Sequence, residues 1–594
     1  MTRGPRRWLA VLAAVALAAV AHAADLDKTL HVSFPVAETG FDPAPVGDIY
    51  SQYVNRAIFD PLYQYDYLAR PYKIVPNTAV ALPDISPDGK TWSIKVKPGI
   101  YFADDPAFKG RTRELTAADY VYSWKRVLDP RMRSNNIQVF DGKFVGADMV
   151  VAAAKQTGKF DYDAPIEGLQ AIDRYTIRLK LNFPAYQLLT DLTTSPSSAV
   201  AREVIEKYGD ANGWTMDHPV GTGPFRLKEW RRGQKIVLEA NPNYRDERFP
   251  ASSAAEDRVL EAKMRGKKLP IVGHVEISII EESNPRLLAF QSGELDYLTV
   301  PSDLTSKVLG PDDQLLPDFA QRGIVLGRGI QPAITYTYFN MEDPVVGGYT
   351  KDKIALRRAI SMAYNVHEEI RVLRQGQGEP ATQPIPPNVG GHDPNLKGAA
   401  TYDPAGAKAL LDRFGYKVGA DGWRTMADGK PLKLSIGSDP SALSRQYDEL
   451  WQKSLNAVGI QAEFVKQKWP DLLKMARYGK LQMWFLGNIS TTPEGFGFMS
   501  LLYGPHSGFA NLARFNLPEF NRLYEESRGL PDSPERTKLF DRMTDLVVAY
   551  APWKLTHHLL EDHVVQPWVI GYKPHPIRAD IFKYLDIDMA KRPR

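Results

Sequence analysis

Short apolar runs alternate with helix-forming segments over much of this chain, a pattern typical of α/β proteins. Residues 275–280 predict a strand, residues 284–291 a helix and residues 296–300 another strand. In that helix we expect Asn284 as the N-cap, Pro285 at the first position and Gly293 at the end. A strand–helix–strand unit of this kind implies parallel strands with helices on the faces of the sheet.

A second unit of the same kind appears more than a hundred residues downstream. Residues 432–436 predict a strand, residues 441–458 a helix ended by Gly459, and residues 460–465 a strand. Two such units predict two α/β lobes. We expect one crossing between the lobes at residues 329–335 and the return at residues 551–558. Two crossings form a hinge that lets the lobes close on a ligand.

Residues 67–190 read instead as a separate unit of short strands and turns. The alternating segment 91–97 follows a turn at residues 87–90, which predicts a β-hairpin. Thr116 and Asp119 have the spacing of a capping box at the start of a helix over residues 117–128. Pro130 cannot continue that helix.

The candidate ligand site lies at the end of a buried strand that begins Met483-Trp484-Phe485-Leu486. The chain then breaks into a loop, where α/β proteins normally present their ligand contacts. We predict that this loop forms one wall of a cleft. The first strand is expected at residues 29–34, and the residues that follow it are predicted to form the opposing wall. Plain packing is the alternative for each residue. The candidates are Trp484, Asn488, Glu494 and Phe496, opposed by Glu38, Thr39 and Tyr50, with Trp469 and His557 as weaker choices.

The N-terminus predicts a cleavable signal peptide over residues 1–23. Arg3, Arg6 and Arg7 precede an apolar run, and Ala21-His22-Ala23 resembles a cleavage site. The Arg6-Arg7 pair leaves a twin-arginine route as the second choice. The chain has no cysteine, which excludes a lipid-modified cysteine and disulfides. We therefore expect a soluble periplasmic protein that is not a lipoprotein.

Length and charge narrow the class further. A chain of 594 residues is too long to fold around one hydrophobic core, so several domains are expected. Of its 74 basic residues, three lie in the predicted leader, which leaves 71 against 70 acidic residues. This balance, with no basic stripe, argues against a nucleic-acid partner.

The sequence predicts no cofactor, no metal and no catalytic residue. Common hydrolase, zinc-protease, Walker and EF-hand motifs are absent. The lone Gly221-Thr-Gly223 pattern indicates a tight turn more strongly than a phosphate site. The cluster of His557, His558 and His563 with Glu561 and Asp562 is read as a polar face beside the hinge, with a metal site as the alternative.

Ordered short motifs make the chain resemble the family 5 extracellular solute-binding proteins of ABC importers, the dipeptide and oligopeptide group. They span nearly all of the mature chain. The matching segments are DGKTW at 88–92, LTAAD at 115–119 with Ser123, Arg126 and Asp129-Pro130, GTGPF at 221–225, LRRAI at 356–360 with Tyr364-Asn365, QPIPP at 383–387, YDP at 402–404, AKALL at 407–411, NAVGI at 456–460 and QPWV at 566–569.

The resemblance implies a type II periplasmic-binding fold, with two α/β lobes, a two-crossing hinge and an extra mixed α+β domain in the first lobe. It implies capture of a small solute, peptide or peptide-like, and delivery to an ABC permease with its ATPase subunits; we expect a monomer. The corresponding segments are the signal peptide 1–23, lobe I at 24–66, the inserted domain at 67–190, lobe I again at 191–330, lobe II at 331–555 and the lobe I return at 556–594.

The chain departs from the family pattern at one position. Peptide binders resemble one another in an aspartate shortly after the cleft tryptophan, which meets the α-amino group of the peptide. Here the stretch after Trp484 has Asn488 at about that place and no aspartate before Pro493. Either Glu494 substitutes or the ligand lacks a free α-amino group. An exported hydrolase, or a receptor or chaperone using the same cleft, is the rival function.

Overall fold

The computed structural model describes residues 24–593 apart from positions 71, 135, 397, 399, 400, 491, 509, 576 and 578–580. The predicted signal peptide lies outside the described residues. The first half of the chain contains β1 (Asp25–Phe34), α1 (Ile49–Ile58), β2 (Tyr63–Tyr65), β3 (Ile74–Pro76), β4 (Asp84–Ile85), β5 (Thr91–Lys95), α2 (Ala117–Leu128), α3 (Ala147–Thr157), β6 (Leu169–Ala171), β7 (Thr176–Lys180), α4 (Gln187–Asp191), α5 (Arg202–Tyr208), β8 (Phe225–Arg231), β9 (Lys235–Ala240), β10 (Glu247–Arg248), α6 (Arg258–Met264), β11 (Lys268–Leu269), β12 (Val272–Ile279), α7 (Ser283–Ser292) and β13 (Tyr297–Thr299).

The second half begins with a short helix and the strand that leaves the first lobe. Its elements are α8 (Pro317–Gln321), β14 (Val325–Ile330), β15 (Ala333–Phe339), α9 (Lys351–Ala363), α10 (Val366–Glu368), β16 (Gly378–Pro380), α11 (Pro404–Arg413), β17 (Lys433–Ser438), α12 (Ala442–Asn456), β18 (Gln461–Lys466), α13 (Trp469–Arg477), β19 (Met483–Ile489), α14 (Gly495–Ser500), α15 (Pro518–Arg528), α16 (Pro534–Tyr550), β20 (Trp553–Val565), β21 (Val569–Ile570) and β22 (Asp586–Ile587). Among the described helices, none is long and apolar enough to cross a membrane.

The first lobe is built on a four-stranded sheet in the order β1-β12-β9-β8. β1 pairs parallel to β12, and β8 and β9 form an antiparallel hairpin. Leu30 and Val32 alternate with polar residues along β1 and pack into the core with Ile277 of β12. Alternation of this kind places every second side chain on the buried face.

The inserted unit has its own antiparallel sheet, in the order β4-β5-β7-β6. The predicted hairpin and the predicted capping box are both confirmed. β4 pairs with β5, and the Asp119 carboxylate accepts from Thr116 N at 2.7 Å. Trp92 and Trp124 are fully buried in a separate core of this unit.

The second lobe has a mixed sheet whose path runs β13-β20-β15-β19-β17-β18. The predicted strand–helix–strand unit is confirmed, since β17 and β18 are parallel and joined by α12. Trp484 of β19 packs into one core and its neighbour Met483 into another on the opposite face. Cores on both faces are expected of a sheet covered by helices.

The two crossings between the lobes run side by side as antiparallel strands. β20 is 13 residues long; its first part pairs with β15 and its last part with β14. β14 and β15 are separated only by Gln331 and Pro332. Asp562 on β20 holds Arg328 of β14 at 2.6 Å. The hinge therefore consists of two adjoining strands that share hydrogen bonds.

The predicted unit at residues 275–300 is wrong in its pairing. β12 belongs to the first sheet, whereas β13 pairs antiparallel with β20 in the other. The intervening helix α7 starts at Ser283 with Glu282 as the N-cap, so Asn284 does not cap it and Pro285 is its third residue. β13 instead carries the chain from one sheet to the other, beside the hinge.

Gly221 and Gly223 pack against the C-terminus of α1 and form a close backbone contact. Gly223 N donates to Ile58 O at 2.8 Å. A Cβ at Gly221 would lie 2.1 Å from that same oxygen, and one at Gly223 would lie 2.6 Å from it. This contact accounts for the glycines without a phosphate.

Gly221→Ala is expected to lower the free energy of unfolding by about 1–3 kcal/mol, because backbone must move to admit the methyl group. Urea denaturation measures the change. Gly529→Ala is the control, since its methyl would meet its nearest atom, Glu526 O, at 3.6 Å. Equal stability of the two variants would contradict the close-contact explanation.

Candidate functional site

A cavity of about 320 Å³ lies where the first lobe meets the hinge and the end of β19. Phe34, the last residue of β1, lines the cavity, and α1 contributes Tyr50, Tyr53 and Arg56. The second lobe contributes Gln331 and the pair Ile489-Ser490. Proteins bind small ligands in cavities of this size, at domain junctions.

One wall of the cavity is aromatic. Tyr50 and Tyr53 are three residues apart on α1 and therefore share a face of the helix. The ring of Phe34 lies 5.1 Å from that of Tyr50 and 6.0 Å from that of Tyr53. Tyr572 and Tyr297 also line the cavity, and their rings lie 5.2 Å apart. These rings supply flat apolar surface for a solute and attract cations to their faces.

Glu561 carries the only carboxylate among the described residues that line the cavity. Its Oε2 accepts from Gln331 Nε2 at 2.7 Å, and 33% of its side chain remains exposed. Since Glu561 is a lining residue, that exposure includes the cavity. Burial raises the pKa of Glu561 to about 7; the Arg374 guanidinium opposes the rise and Asp562 adds to it.

Arg286 brings a buried guanidinium to the same cavity. It is 8% exposed and donates to the carbonyl oxygens of Ile280 at 2.9 Å and Glu281 at 3.0 Å. Within the described ranges it has no carboxylate within 4 Å, and burial lowers its pKa. A buried cation without a counterion is costly and favours an anionic partner.

Tyr50 lies within electrostatic reach of both charged groups. Burial raises the pKa of Tyr50, the Glu561 carboxylate adds to the rise and the Arg286 guanidinium opposes it. His563 also lines the cavity, and burial lowers its pKa to about 4, so the ring is neutral at pH 7. The cavity thus offers a carboxylate and the guanidinium groups of Arg286 and Arg56 beside one aromatic wall.

The structure places the predicted site residues in several places. Tyr50 lines the cavity. Trp484 is buried, and Asn488 lies on the same face of β19, opposite Ile334 of β15. The residues directly after Asn488, Ile489 and Ser490, are the ones that line the cavity.

Glu494 and Phe496 make contacts within the second lobe. Glu494 Oε1 lies 2.7 Å from the Arg536 guanidinium, and burial raises the pKa of Glu494 despite that ion pair. Phe496 stacks on Tyr524 at 4.5 Å. Neither is among the lining residues of the cavity.

The remaining candidates are held by contacts elsewhere. Glu38 is buried and accepts from the Trp230 indole and from Gly233 N at 2.9 Å. Thr39 bonds to Asp48, the N-cap of α1. Trp469 is exposed beside Trp484, and His557 Nδ1 lies 2.8 Å from Glu369 Oε1 inside the second lobe. Their roles in ligand binding stay predictions.

The histidine cluster separates on β20. His558 Nδ1 meets Ala333 O at 3.1 Å, and His563 Nδ1 meets Thr299 Oγ1 at 3.2 Å. His557, as noted, faces Glu369. No group of three or more His, Cys, Asp or Glu side chains suited to a metal ion occurs among the described residues.

Sequence reasoning missed Glu561 and Arg286 as cavity residues. Glu561 and His563 are two apart and therefore share a face of β20, which the alternation of that strand encodes. Arg286 carried no local signal, because its placement depends on β12 and β13 belonging to different sheets.

A cavity at the junction of two α/β lobes and a two-strand hinge defines a ligand-binding protein of the two-lobe class. Residues 73–509 match the family described as "Bacterial extracellular solute-binding proteins, family 5 Middle", and the chain belongs to that family. The predictions of the family and of a solute-binding role are confirmed.

Two curated proteins illustrate the range of relatives. The chain is 27% identical to Heme-binding protein A of Haemophilus influenzae over 85% of this chain and 83% of that protein. It is 26% identical to Di/tripeptide-binding protein 2 of Pseudomonas aeruginosa over 99% of both chains.

Solved structures share the fold at lower identity. Brucella suis NikA in complex with Fe(III)-EDTA has a TM-score of 0.73 at 21% identity, covering 95% of this chain and all of that one. Helicobacter pylori DppA with the peptide STSA has a TM-score of 0.68 at 23% identity, covering 94% of this chain and 98% of that one. The predicted two-lobe α/β fold is thereby confirmed.

Proposed function

We propose that this protein captures a short peptide or peptide-like solute in the cavity between its lobes and delivers it, unaltered, to a membrane permease powered by cytoplasmic ATPases. The proposal rests chiefly on one observation: Glu561 and Arg286 present opposite charges to one aromatic cavity. A short zwitterion carries an ammonium and a carboxylate that suit these two groups. Relatives named for di- and tripeptides support the same class of solute.

The size of the cavity favours a short solute. About 320 Å³ lies at the lower end of the volumes that hold drug-sized ligands. The solute is bound more tightly when the lobes are closed, and that preference shifts the hinge equilibrium. The permease then recognises the closed shape. We further propose export by the leader and a monomeric state.

The direct test identifies the solute. The protein is purified from its native host, denatured, and the released small molecules are identified by mass spectrometry. We expect di- or tripeptides. Isothermal titration of unfolded-and-refolded protein then compares a dipeptide with its N-acetyl and C-amide forms and with haem, because one relative is a heme-binding protein.

Capping one terminus of the dipeptide at a time tests the proposed contacts with Glu561 and Arg286 separately. Each capped form removes one charged terminus, and we expect each to lose at least about tenfold in affinity, the usual scale of a charge-assisted hydrogen bond. Equal affinity for capped and free dipeptides would remove the charge argument. Haem binding with no peptide binding would overturn the peptide proposal itself.

A hydrolase acting in the same cavity is the rival function. Incubating the protein with the dipeptide and recovering it by mass spectrometry tests this. We expect the intact dipeptide in full yield. Appearance of free amino acids, in proportion to protein concentration, would establish the rival.

A further inference from the structure

A second, smaller cavity lies inside the lobe that carries β15, β19 and β17, and it shares no lining residue with the interlobe cavity. Its volume is about 30 Å³, and it sits between α9, the C-terminal end of α16 and the start of β20. Its polar side chains are Lys554, Ser361 and Arg358; the other lining residues are apolar or glycine. No carboxylate is among the described residues that line it.

Lys554 is a buried cation that has no direct partner among the described residues. It is 3% exposed, and in the part of the chain that the structure describes it makes no hydrogen bond and no ion pair within 4 Å. Burial lowers the pKa of Lys554 to about 8, and Glu369 opposes the change from a distance. Glu369 is itself bonded to His557.

Nearby acceptors are already in use. Arg357, next to Arg358 on α9, donates to the carbonyl oxygens of Tyr550 at 2.7 Å and Ala551 at 3.2 Å. These are the oxygens at the end of α16, where a cation is ordinarily stabilised. Arg357 therefore occupies the acceptors that would otherwise be offered to a lysine at this helix end.

Ser361 adds a donor that is also unused. Its Oγ is buried and has no hydrogen-bond partner among the residues that the structure describes. Arg358 lies three residues earlier on α9, so both side chains share one face of that helix. The cavity is thus lined by a buried ammonium and a buried hydroxyl, both hydrogen-bond donors, and by the guanidinium of Arg358, whose side chain is exposed.

We propose that this cavity is a binding site for a small monovalent anion, with chloride as the occupant in salt-containing medium. A water molecule would fill the space but leave the charge of Lys554 uncompensated, which is costly in the interior. A cavity of about 30 Å³ admits a monatomic ion or one to two waters. It is too small for a phosphate or a carboxylate ligand.

The anion would stabilise the start of β20, one of the two hinge strands. Lys554 is the second residue of β20, the strand that continues to Glu561 at the interlobe cavity. Neutralising it ties the start of β20 to α9. The site is independent of the proposed solute, so its failure would leave the proposed function untouched.

Thermal unfolding at constant ionic strength tests the proposal. Sodium chloride is exchanged for sodium gluconate at fixed sodium concentration, and we expect chloride to raise Tm saturably by about 1–3 °C. Lys554→Met should abolish the rise, and Ser361→Ala should shift its midpoint to higher chloride. Because Met matches the length and burial of the lysine stem, the fold should persist.

A matched control is Lys125→Met. Lys125 is also buried, but it donates to Tyr162 O and Ala164 O in the inserted unit. This variant should be less stable and yet keep the full chloride effect. A chloride effect that is absent from the natural protein, or that survives unchanged in both Lys554→Met and Ser361→Ala, would overturn the proposal.

Diffraction from a crystal soaked in sodium bromide gives a second readout. We expect an anomalous peak within hydrogen-bond distance of Lys554 Nζ and Ser361 Oγ. A peak only at surface sites would count against the site, even if Lys554→Met failed to fold.

Discussion

Glu561→Gln is expected to weaken binding of a free-amine dipeptide by roughly 10- to 100-fold at pH 7.5. The substitution removes the negative charge but keeps an oxygen that can accept from Gln331 Nε2. The hinge contact therefore survives while the ammonium loses its partner. Losing one member of a desolvated charge pair typically costs about 1.5–3 kcal/mol, which converts to that range of affinity. Isothermal titration measures it.

The pH dependence of binding also tests whether the Glu561 carboxylate binds the ammonium group of the solute. Burial raises the pKa of Glu561 to about 7 in the free protein. Below that pH the carboxyl is protonated, so binding an ammonium must release a proton and affinity falls as pH decreases. Affinity should rise between about pH 5 and pH 7 and then level until the α-amino group loses its own proton near pH 8. Glu561→Gln should show no such rise.

Glu494→Gln is the matched control, and it separates two candidate anchors. Glu494 pairs with Arg536 inside the second lobe and does not line the cavity. We expect this variant to lose stability but to keep peptide affinity. The reverse result, with affinity lost in Glu494→Gln and retained in Glu561→Gln, would make Glu494 the amine contact that the sequence suggested.

Local signals in the sequence were enough for most elements. The spacing of Thr116 and Asp119 predicted the start of α2, because a capping box needs only residues three apart. Alternation over residues 91–97 predicted β5, and the strand–helix–strand pattern at β17, α12 and β18 predicted parallel pairing. Each of these depends on neighbours within about thirty residues.

Local sequence patterns could not predict which strands pair when the partners are far apart in the chain. The pattern around β12 and β13 is that of one parallel unit, yet the two strands belong to different sheets. Periodicity reports which face of a strand is buried, but it carries no information about the partner strand. The candidate site inherited this limit, since Glu561 of β20 and Tyr50 of α1 line the same cavity although they lie near opposite ends of the chain.

The boundaries of the six segments stay predictions, but the hinge has a clear physical basis. Residues 329–335 and 551–558 were proposed as crossings from the distribution of α/β units. β15 and β20 pair between Thr335 and His557, and between Tyr338 and Trp553. Two hydrogen-bonded strands bend together, so the lobes are expected to close by rotation about this pair.

Asp42→Ala is expected to lower the free energy of unfolding by about 3–5 kcal/mol. Asp42 follows β1 in the first lobe and accepts two hydrogen bonds from Arg126 of α2, at 3.0 and 2.6 Å. Both side chains are at most 1% exposed. Removing the carboxylate leaves the guanidinium buried without a counterion, which is the costly way to break such a pair. Urea denaturation at pH 7 measures the loss.

Two further variants test the cause of that loss. Asp42→Leu combined with Arg126→Met removes both charges and should be more stable than Asp42→Ala alone, since no uncompensated ion remains. Asp163→Ala breaks the exposed pair with Arg202, whose side chains are 74% and 41% exposed, and should cost less than about 1 kcal/mol. If the double variant were as unstable as Asp42→Ala, packing and not the buried charge would explain the loss.

The stability of the protein in acid should also depend on the Asp42–Arg126 ion pair. Arg126 and the bonds from Thr215 and Ala44 hold the pKa of Asp42 below 3.8 although burial opposes them. A carboxyl with a lowered pKa stabilises the folded state above its unfolded pKa, and this stabilisation disappears as pH falls through the folded value. The natural protein should therefore lose stability below about pH 4 more steeply than the double variant. Identical acid profiles would show that the pair linking the first lobe to the inserted unit does not govern acid stability.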